Sequence, residues 1–202
     1  MYLMTHSLLS SWLYAMKSSP YEDLTSERDA YGDFLKTLRR EPTETTQAMQ
    51  NGIDFENMVT DIVNGVEVDF NEKWYDAASK VANTVRGGQL QYKAKKRITV
   101  SGVPILLYGR LDVLKAGEII DIKFSSGYER GKYFDSTQHP VYLELIPEAY
   151  QFTYLITNGS DVWKETYRRE ETHSIIPTIA YFLSYLKESG LWEEYAKHWE
   201  AL

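Results

Sequence analysis

The sequence predicts an α/β (α+β) fold in which a central mixed β-sheet is flanked by helices. Residues 1–88 carry helical patterns, residues 89–125 hold three strand-like segments in series, and a helix and one more strand follow. Strands in series form antiparallel hairpins, whereas a strand reached through a helix can join a sheet in parallel. We therefore expect one domain over residues 1–202, with a mostly helical lead-in (1–88), a sheet-and-helix region (89–170) and C-terminal helices (171–202).

Composition narrows the class of protein. The chain has 202 residues and is 43% hydrophobic, which is enough for one sizeable core. It has no run of eighteen apolar residues and no basic lead-in or Ala-x-Ala site near its start, so we expect neither a membrane span nor a secretory signal. The absence of cysteine excludes disulfides, thiol catalysis and iron–sulfur clusters, and it fits a cytoplasmic location.

The charge balance is acidic, with a formal net charge of −7. Affinity for phosphate comes mostly from Lys and Arg, so the chain does not fit a non-specific nucleic-acid coat. A nucleic-acid enzyme remains compatible, because it needs only a local basic track beside a carboxylate-rich site.

Periodicity and breakers locate the elements. Pro42 ends one helical pattern, and Thr43 to Thr46 offer N-caps for the next. Predicted helices cover residues 7–16, 21–40, from 43 onward, 71–85, 143–157, 175–186 and 192–202. Predicted strands cover residues 89–100, 103–114, 118–125 and 161–168, and residues 127–141 form a predicted loop.

The second and third strands form a hairpin around the turn Ala116-Gly117. Counting outward from a two- or four-residue loop pairs Lys115 with Glu118, Leu114 with Ile119, Val113 with Ile120, and Asp112 with Asp121. Alternation then places one apolar set on the core face, namely Leu111, Val113, Ile120, Ile122 and Phe124. Asp112, Asp121 and Lys123 share the other face, with Arg110 opposite Lys123.

Two aspartates opposite each other repel, so folding alone does not favour this pair. A divalent cation between them turns the repulsion into ligation, and oxygen-only ligands suit Mg²⁺ or Mn²⁺. Lys123 next to such an ion can orient or deprotonate a water, or offset charge in a phosphoryl transition state. The pattern therefore predicts phosphodiester hydrolysis. The structural alternative is an ordinary solvated hairpin face in an unrelated α+β domain.

The segment Gly109-Arg110-Leu111-Asp112, followed by Asp121-Ile122-Lys123, resembles the signature of the PD-(D/E)xK nuclease superfamily. Leu111 stands where that signature has its proline. The helical lead-in is similar to the lambda exonuclease and RecB-like branch. The resemblance spans roughly residues 52–155 and implies a restriction-endonuclease-like core, one- or two-metal hydrolysis and DNA as substrate.

The same resemblance implies further site residues. In that branch a preceding helix supplies a metal ligand, and the pattern Gly52-x-x-x-Glu56 puts Glu56 in this role. A helix with Gln-x-x-x-Tyr follows the lysine strand, which implies Gln151 and, with a spacing one residue short, Tyr154. The alternative for Glu56 is a solvated helix residue, and for Gln151 and Tyr154 it is core packing. Because the chain has no cysteine, it would be a member of this branch without an iron–sulfur cluster.

Basic and aromatic residues near the hairpin are candidate DNA contacts. The densest basic run precedes it, and a polar loop follows it; the candidates are Lys93, Lys95, Lys96, Arg97, Arg110, Ser125, Tyr128, Arg130, Lys132 and Tyr154. Taken singly, each of these charged residues is more often a solvated surface residue than a DNA contact. None of the four histidines has ligand spacing, so we expect no catalytic histidine.

Three functional interpretations remain open. The leading one is an exonuclease that acts on DNA ends in recombination or repair. The second is a structure-specific or restriction-type endonuclease, and the third is an inactive nuclease-fold protein that binds DNA or a partner. Family likeness adds a single-strand annealing or recombination protein as a partner and a homo-oligomeric state.

Overall fold

The computed structural model describes residues 1–17 and 29–201. In these ranges it contains six strands, β1 (Tyr2–Met4), β2 (Gln89–Val100), β3 (Val103–Lys115), β4 (Glu118–Phe124), β5 (Gln151–Thr157) and β6 (Val162–Arg168). The helices are α1 (His6–Lys17), α2 (Ala30–Leu38), α3 (Gln47–Asn64), α4 (Tyr75–Val85), α5 (Gln138–Leu145), α6 (Ile176–Glu188) and α7 (Trp192–Trp199). A short 3₁₀ helix, Arg169–Glu171, follows β6.

The six strands form one mixed sheet, which confirms the predicted fold class. The strand order is β1-β3-β4-β5-β6, and β2 also pairs with β3. The β1/β3 and β4/β5 pairs are parallel, and the β2/β3, β3/β4 and β5/β6 pairs are antiparallel. The helix α5 forms the crossover from β4 to β5, as parallel pairing requires.

The hairpin β3–β4 opens into a fork. The strands pair at Val113/Ile120, Leu114/Ile119 and Lys115/Glu118, which confirms the predicted register over these three pairs. The predicted pairs Asp112/Asp121 and Arg110/Lys123 are wrong, because the two strands diverge beyond Val113 and Ile120. The short strand β1 instead pairs with Ile105, Leu106 and Leu107 of β3. The edge of β3 between these two pairings, residues 108–112, is therefore left open toward β4.

Two apolar cores cover the sheet. The larger one joins α1, α2, α5, α6 and α7 to the sheet, and the smaller one joins α3 and α4 to it. As predicted, Val113, Ile120, Ile122 and Phe124 pack in one core, the smaller. The prediction that Leu111 shares this apolar face is wrong, because Leu111 packs in the larger core. The ribbon of β2 and β3 thus changes the core it covers between Leu111 and Val113.

Most helix predictions are confirmed within a few residues. α3 begins at Gln47, where the Thr46 hydroxyl accepts a hydrogen bond from the Met49 N–H and so acts as the N-cap. The predicted helix at 21–40 is observed as Ala30–Leu38, and residues 21–28 lie outside the described residues. The lead-in is not purely helical, since Tyr2–Met4 forms β1; a three-residue strand has too short a pattern to be read locally.

The segment between β4 and β6 differs from the prediction. The predicted loop 127–141 and helix 143–157 are wrong, because α5 spans Gln138–Leu145 and Gln151–Thr157 is a strand. Pro140 is tolerated in the first turn of α5, and Pro147 follows its end. β5 is buried on both faces, so its sequence lacks the regular change between buried and exposed positions that marks a half-buried strand, and it resembles a buried helix.

None of the helices within residues 1–17 and 29–201 is long and apolar enough to cross a membrane.

Candidate active site

A cleft of about 360 Å³ occupies the fork between β3 and β4. It is lined by Glu56 of α3, Asp112 of β3, and Asp121 and Lys123 of β4. The structure thus brings together four residues that the sequence analysis singled out, although they lie on three elements.

Asp112 substitutes for a missing backbone partner in the fork. Its Oδ2 accepts a hydrogen bond of 2.8 Å from the Ile122 N–H, which has no β3 carbonyl to pair with once the strands diverge. Burial raises the pKa of Asp112 well above its ordinary value, and the negative charges of Asp121 and Glu56 raise it further. Three carboxylates therefore repel one another in this cleft, a repulsion that a cation would relieve.

Asp121 is buried, with only 3% of its surface exposed. Its Oδ1 accepts a hydrogen bond of 2.5 Å from Gln138 Nε2. The Lys123 Nζ lies 2.8 Å from its Oδ2, yet that buried oxygen has no hydrogen bond of acceptable alignment. The ion pair with Lys123 is therefore the one polar contact of Asp121 Oδ2 among the described residues.

Lys123 is a cation in this environment. Burial lowers the pKa of its ammonium, but the charge of Asp121 and its contact with that carboxylate outweigh the effect, and the net pKa is above the ordinary value. The charged form fits a role in stabilising negative charge better than a role as a base.

Glu56 reaches the cleft from the middle of α3. Burial raises the pKa of Glu56, and the charge of Asp121 adds to the rise, whereas Arg110, Gln91 and Lys123 oppose it. The Gln91 Nε2 donates a hydrogen bond to Glu56 Oε1. Glu56 is therefore a half-buried carboxylate with a partner, and not a freely solvated one.

Gln138 and Tyr142 lie at the cleft, where the sequence analysis expected Gln151 and Tyr154. Gln138 binds Asp121, and the Tyr142 hydroxyl donates a hydrogen bond of 3.0 Å to the Arg110 carbonyl oxygen on the open edge of β3. Both line the cleft from α5. Their Gln-x-x-x-Tyr spacing, residues 138–142, is the signal that could have found them.

Gln151 and Tyr154 are therefore corrected. Both lie on β5 and neither lines the cleft. Gln151 hydrogen-bonds Glu118, at the hairpin turn end of β4. Tyr154 is fully buried, and its ring stacks on Tyr133 at a centroid distance of 4.3 Å, so it cannot touch DNA.

His6 is a second residue that sequence reasoning missed. It begins α1 and lines the cleft, and its ring contacts Tyr142 edge-on at 5.4 Å between centroids. Burial lowers the pKa of His6 to about 4, and the charge of Lys123 contributes, so the imidazole is neutral near pH 7. No ligand spacing in the sequence signals this position, because α1 arrives from the far end of the chain.

The donors of the cleft suit a hard divalent cation. Within residues 1–17 and 29–201, no three acidic or histidine side chains are grouped tightly enough to hold an ion by themselves. Magnesium, however, commonly binds one or two carboxylates and completes its shell with water and phosphate oxygens. The carboxylates of Asp112 and Asp121 fit this requirement, with the cation taking a place beside the Lys123 ammonium that now lies 2.8 Å from Asp121 Oδ2.

The predicted basic track lies beside the cleft in part. Arg110 lines the cleft and is exposed. Lys93 and Lys95 of β2 pair with Arg110 and Tyr108 of β3, so they lie on the same face as these cleft residues. Arg97 continues this exposed row. The side chain of Lys96 points to the other face, where it forms a 2.6 Å ion pair with Glu144.

The loop after β4 is held by its own contacts. Lys132 Nζ donates to Ser125 Oγ at 2.7 Å, and the Tyr128 hydroxyl donates to Glu165 at 2.7 Å. The ring of Tyr128 lies against Trp163. Among the predicted DNA contacts of this loop, Arg130 and Lys132 are exposed, but the polar atoms of Lys132, Ser125 and Tyr128 are engaged within the protein.

No protein-family model matches the sequence, and no curated protein matches it significantly. Several solved structures share its fold. One is the crystal structure of SSO0001, which is 14% identical with a TM-score of 0.54; the match covers 94% of this chain and 76% of the SSO0001 chain. At this identity the similarity concerns the fold alone.

Proposed function

We propose that the protein is a metal-dependent DNA nuclease of the PD-(D/E)xK type, and that it acts as an exonuclease on DNA ends in recombination or repair. The observation that carries the proposal is the cleft in the β3–β4 fork. Glu56, Asp112, Asp121 and Lys123 line it together, from one helix and two strands. Burying carboxylates that repel one another lowers the stability of the fold. Their presence therefore indicates a functional site better than it indicates a structural role.

The donor set defines the cofactor of the proposed reaction. Asp112, Asp121 and Glu56, together with water and phosphate oxygens, would hold Mg²⁺ or Mn²⁺, and the ion would supply polarisation of a phosphate and a more acidic bound water. The chain requires no iron–sulfur cluster for this chemistry.

The residues of the cleft have distinct proposed roles in hydrolysis. The oxygen of a water forms a bond to phosphorus while the bond from phosphorus to the leaving oxygen breaks, and negative charge grows on the phosphoryl oxygens. The attacking water gives up a proton to solvent, and the leaving oxygen takes one up from solvent. Lys123, a cation by its elevated pKa, offsets that charge. Gln138 holds Asp121 by its Oδ1, and the exposed Arg110 binds a neighbouring phosphate.

The choice of nucleic acid as substrate rests on charge. The whole chain is acidic, at −7, yet the row Lys93, Lys95 and Arg97 leads away from Arg110 on the cleft face of the sheet. A local cationic row beside an acidic cleft suits a polyanion whose backbone passes a metal site.

The test is cleavage of end-labelled linear duplex DNA in Mg²⁺, beside a covalently closed circle of the same sequence. We expect the linear DNA to be degraded from its ends, the circle to survive, and EDTA to stop the reaction. Asp121→Ala should reduce the rate by at least about 100-fold, because it removes a proposed metal ligand. Asp161→Ala, which changes an exposed aspartate outside the cleft, is the matched control and should retain the wild-type rate.

Each other outcome has a defined meaning. Cleavage of the circle would assign an endonuclease instead. Binding of DNA without cleavage in either Mg²⁺ or Mn²⁺, by protein that is folded by circular dichroism, would leave the binding-only alternative. Equal rates for the wild type and Asp121→Ala would refute the proposed site.

A further inference from the structure

Gln91 has a backbone conformation that is unusual inside a strand. Its φ is +52°, in the left-handed region, although it lies in the twelve-residue strand β2. Side chains with a Cβ are strained there, and Gly or Asn is the residue normally found. Its neighbours Leu90 and Tyr92 pair normally with Val113 and Leu111, whereas Gln91, at the level of Asp112, pairs with nothing in the ladder of the described strands.

The distortion lies where the ribbon of β2 and β3 passes from one core to the other. On one side of Gln91, Leu90 and Val113 pack with α3 and α4. On the other side, Ala94 and Leu111 pack in the larger core. A glycine or asparagine would permit the same bend with less strain, so the bend alone does not account for a glutamine.

The long side chain of Gln91 accounts for it. The Nε2 of Gln91 donates a hydrogen bond to Oε1 of Glu56, which belongs to α3 and lies 35 residues earlier in the chain. The left-handed backbone at the level of Asp112 thus presents an amide to the one cleft carboxylate that does not come from the sheet. A strained backbone conformation of this kind persists only where the surrounding structure holds it in place. Such conformations cluster at functional sites.

We propose that Gln91 is a positioning residue of the candidate site, whose amide holds Oε1 of Glu56 and leaves the second carboxylate oxygen to bind the cation. This inference rests on the proposed function, and it adds a residue outside the cleft lining. A glutamic acid on a helix has three freely rotating side-chain bonds, so a fixed partner reduces the conformational entropy lost when it binds an ion.

The experiment measures Mn²⁺ affinity by isothermal titration without DNA, and then the kcat and KM for linear duplex. Gln91→Gly removes the amide and the backbone strain together. Gln91→Met keeps the length of the side chain but has no donor. Gln89→Ala is the matched control, because Gln89 is an exposed glutamine two residues earlier in β2.

We expect both Gln91 variants to bind Mn²⁺ at least about 10-fold more weakly than the wild type, with a lower kcat and little change in KM. The Tm of Gln91→Gly should stay within about 3 °C of wild type, because relief of strain offsets the greater entropy of glycine in the unfolded chain. Gln89→Ala should match the wild type in every measurement.

Wild-type Mn²⁺ affinity in either folded Gln91 variant would refute the role of Gln91 and leave the proposed function intact. A loss of Tm and kcat without any loss of Mn²⁺ affinity would also refute it, since a merely structural residue has that effect. Absence of Mn²⁺ binding by the wild-type protein would overturn the proposed function, and this inference with it.

Discussion

Asp121 illustrates how a single carboxylate depends on distant residues. Lys123 next to it comes from the same strand, but the hydrogen bond to its Oδ1 comes from Gln138 on α5, 17 residues later. Without Gln138, the buried Asp121 would lose the hydrogen bond that fixes its orientation. Residues that hydrogen-bond a metal ligand commonly affect metal affinity and activity by roughly 10- to 100-fold when they are substituted.

Gln138→Ala should therefore reduce the rate of DNA cleavage by roughly 10- to 100-fold, because the Asp121 carboxylate is no longer held. The measurement is the initial rate on linear duplex at saturating Mg²⁺. Gln151→Ala is the control, since Gln151 lies on β5 at the level of Glu118, away from the cleft, and its rate should equal the wild type. The reverse result, a loss with Gln151→Ala alone, would contradict the arrangement described here.

His139 is a buried residue whose protonation opposes folding. Its ring stacks on Tyr167 at 4.1 Å between centroids, and its Nδ1 lies 3.3 Å from the Tyr154 hydroxyl. Burial lowers the pKa of His139 to about 4, although the charge of Glu165 acts in the opposite direction. In the unfolded chain the pKa is near 6.5, so between pH 6.5 and 4 the unfolded state binds more protons.

This difference predicts a pH-dependent stability. The contribution of neutral His139 is fully present above pH 6.5 and is lost as the pH falls toward 4. We expect the unfolding free energy of the wild type, relative to His139→Phe, to fall by about 2 kcal/mol between pH 7 and 5. Urea denaturation at both pH values measures it. A pH-independent difference between the two proteins would show that His139 is not held neutral by burial.

At the scale of elements, α5 is the helix that organises the cleft, and Arg169 holds its end. The Arg169 guanidinium donates hydrogen bonds to the carbonyl oxygens of Leu143, Ile146 and Ala149 at 2.6–2.7 Å. Leu143 lies in the last turn of α5, where carbonyls lack a helical partner, and a cation there also interacts favourably with the helix dipole. At its other end, α5 presents Gln138 and Tyr142 to the fork.

The fit of α5 against β3 explains a glycine of the Gly-Arg-Leu-Asp segment. A Cβ at Gly109 would lie 2.4 Å from the Tyr142 ring, so α5 can approach the strand only if this residue is glycine.

Arg169→Ala should lower the unfolding free energy by about 3 kcal/mol, because it removes three hydrogen bonds and leaves the carbonyls of Leu143 and Ala149 without a donor. Arg168→Ala changes the preceding, exposed arginine and should alter it by less than about 0.5 kcal/mol. Chemical denaturation of both variants checks this. Equal effects at the two positions would mean that the Arg169 contacts contribute little to stability.

These elements also show the limit of local patterns. The strands β2, β3 and β4 and the hairpin register were predictable, because alternation and the Ala116-Gly117 turn act over neighbouring residues. The boundary between α5 and β5 was not. β5 is covered on both faces, and that burial, which depends on helices elsewhere in the chain, erases the alternation on which strand prediction depends.

On the scale of the whole molecule, charge is distributed unevenly. The acidic total would repel DNA on average, so the proposed DNA binding would depend on the row that runs from Arg110 through Lys93, Lys95 and Arg97. Each lysine that neutralises a phosphate releases counterions, which makes affinity depend on salt.

The double variant Lys93→Ala/Lys95→Ala should reduce the slope of log affinity against log salt by about 2, as measured with catalytically inactive protein and duplex DNA. Lys187→Ala/Lys197→Ala is the control, because it removes the same charge from exposed positions of α6 and α7. An equal loss of slope in both would indicate that net charge, and not the row beside the cleft, governs binding.

The sequence by itself determined the mixed fold class, the register of the three hairpin pairs next to the turn and the proximity of Asp112, Asp121 and Lys123, because these follow from short-range periodicity. Only the tertiary structure decided that His6, Gln91 and Gln138 approach them, that Tyr154 is buried, and that Leu111 leaves the core of Val113. Those facts depend on where β3 and β4 part and on which helices fill the opening. Such contacts join residues far apart in the chain, and apart from the Gln-x-x-x-Tyr spacing of residues 138–142 no local pattern signals them.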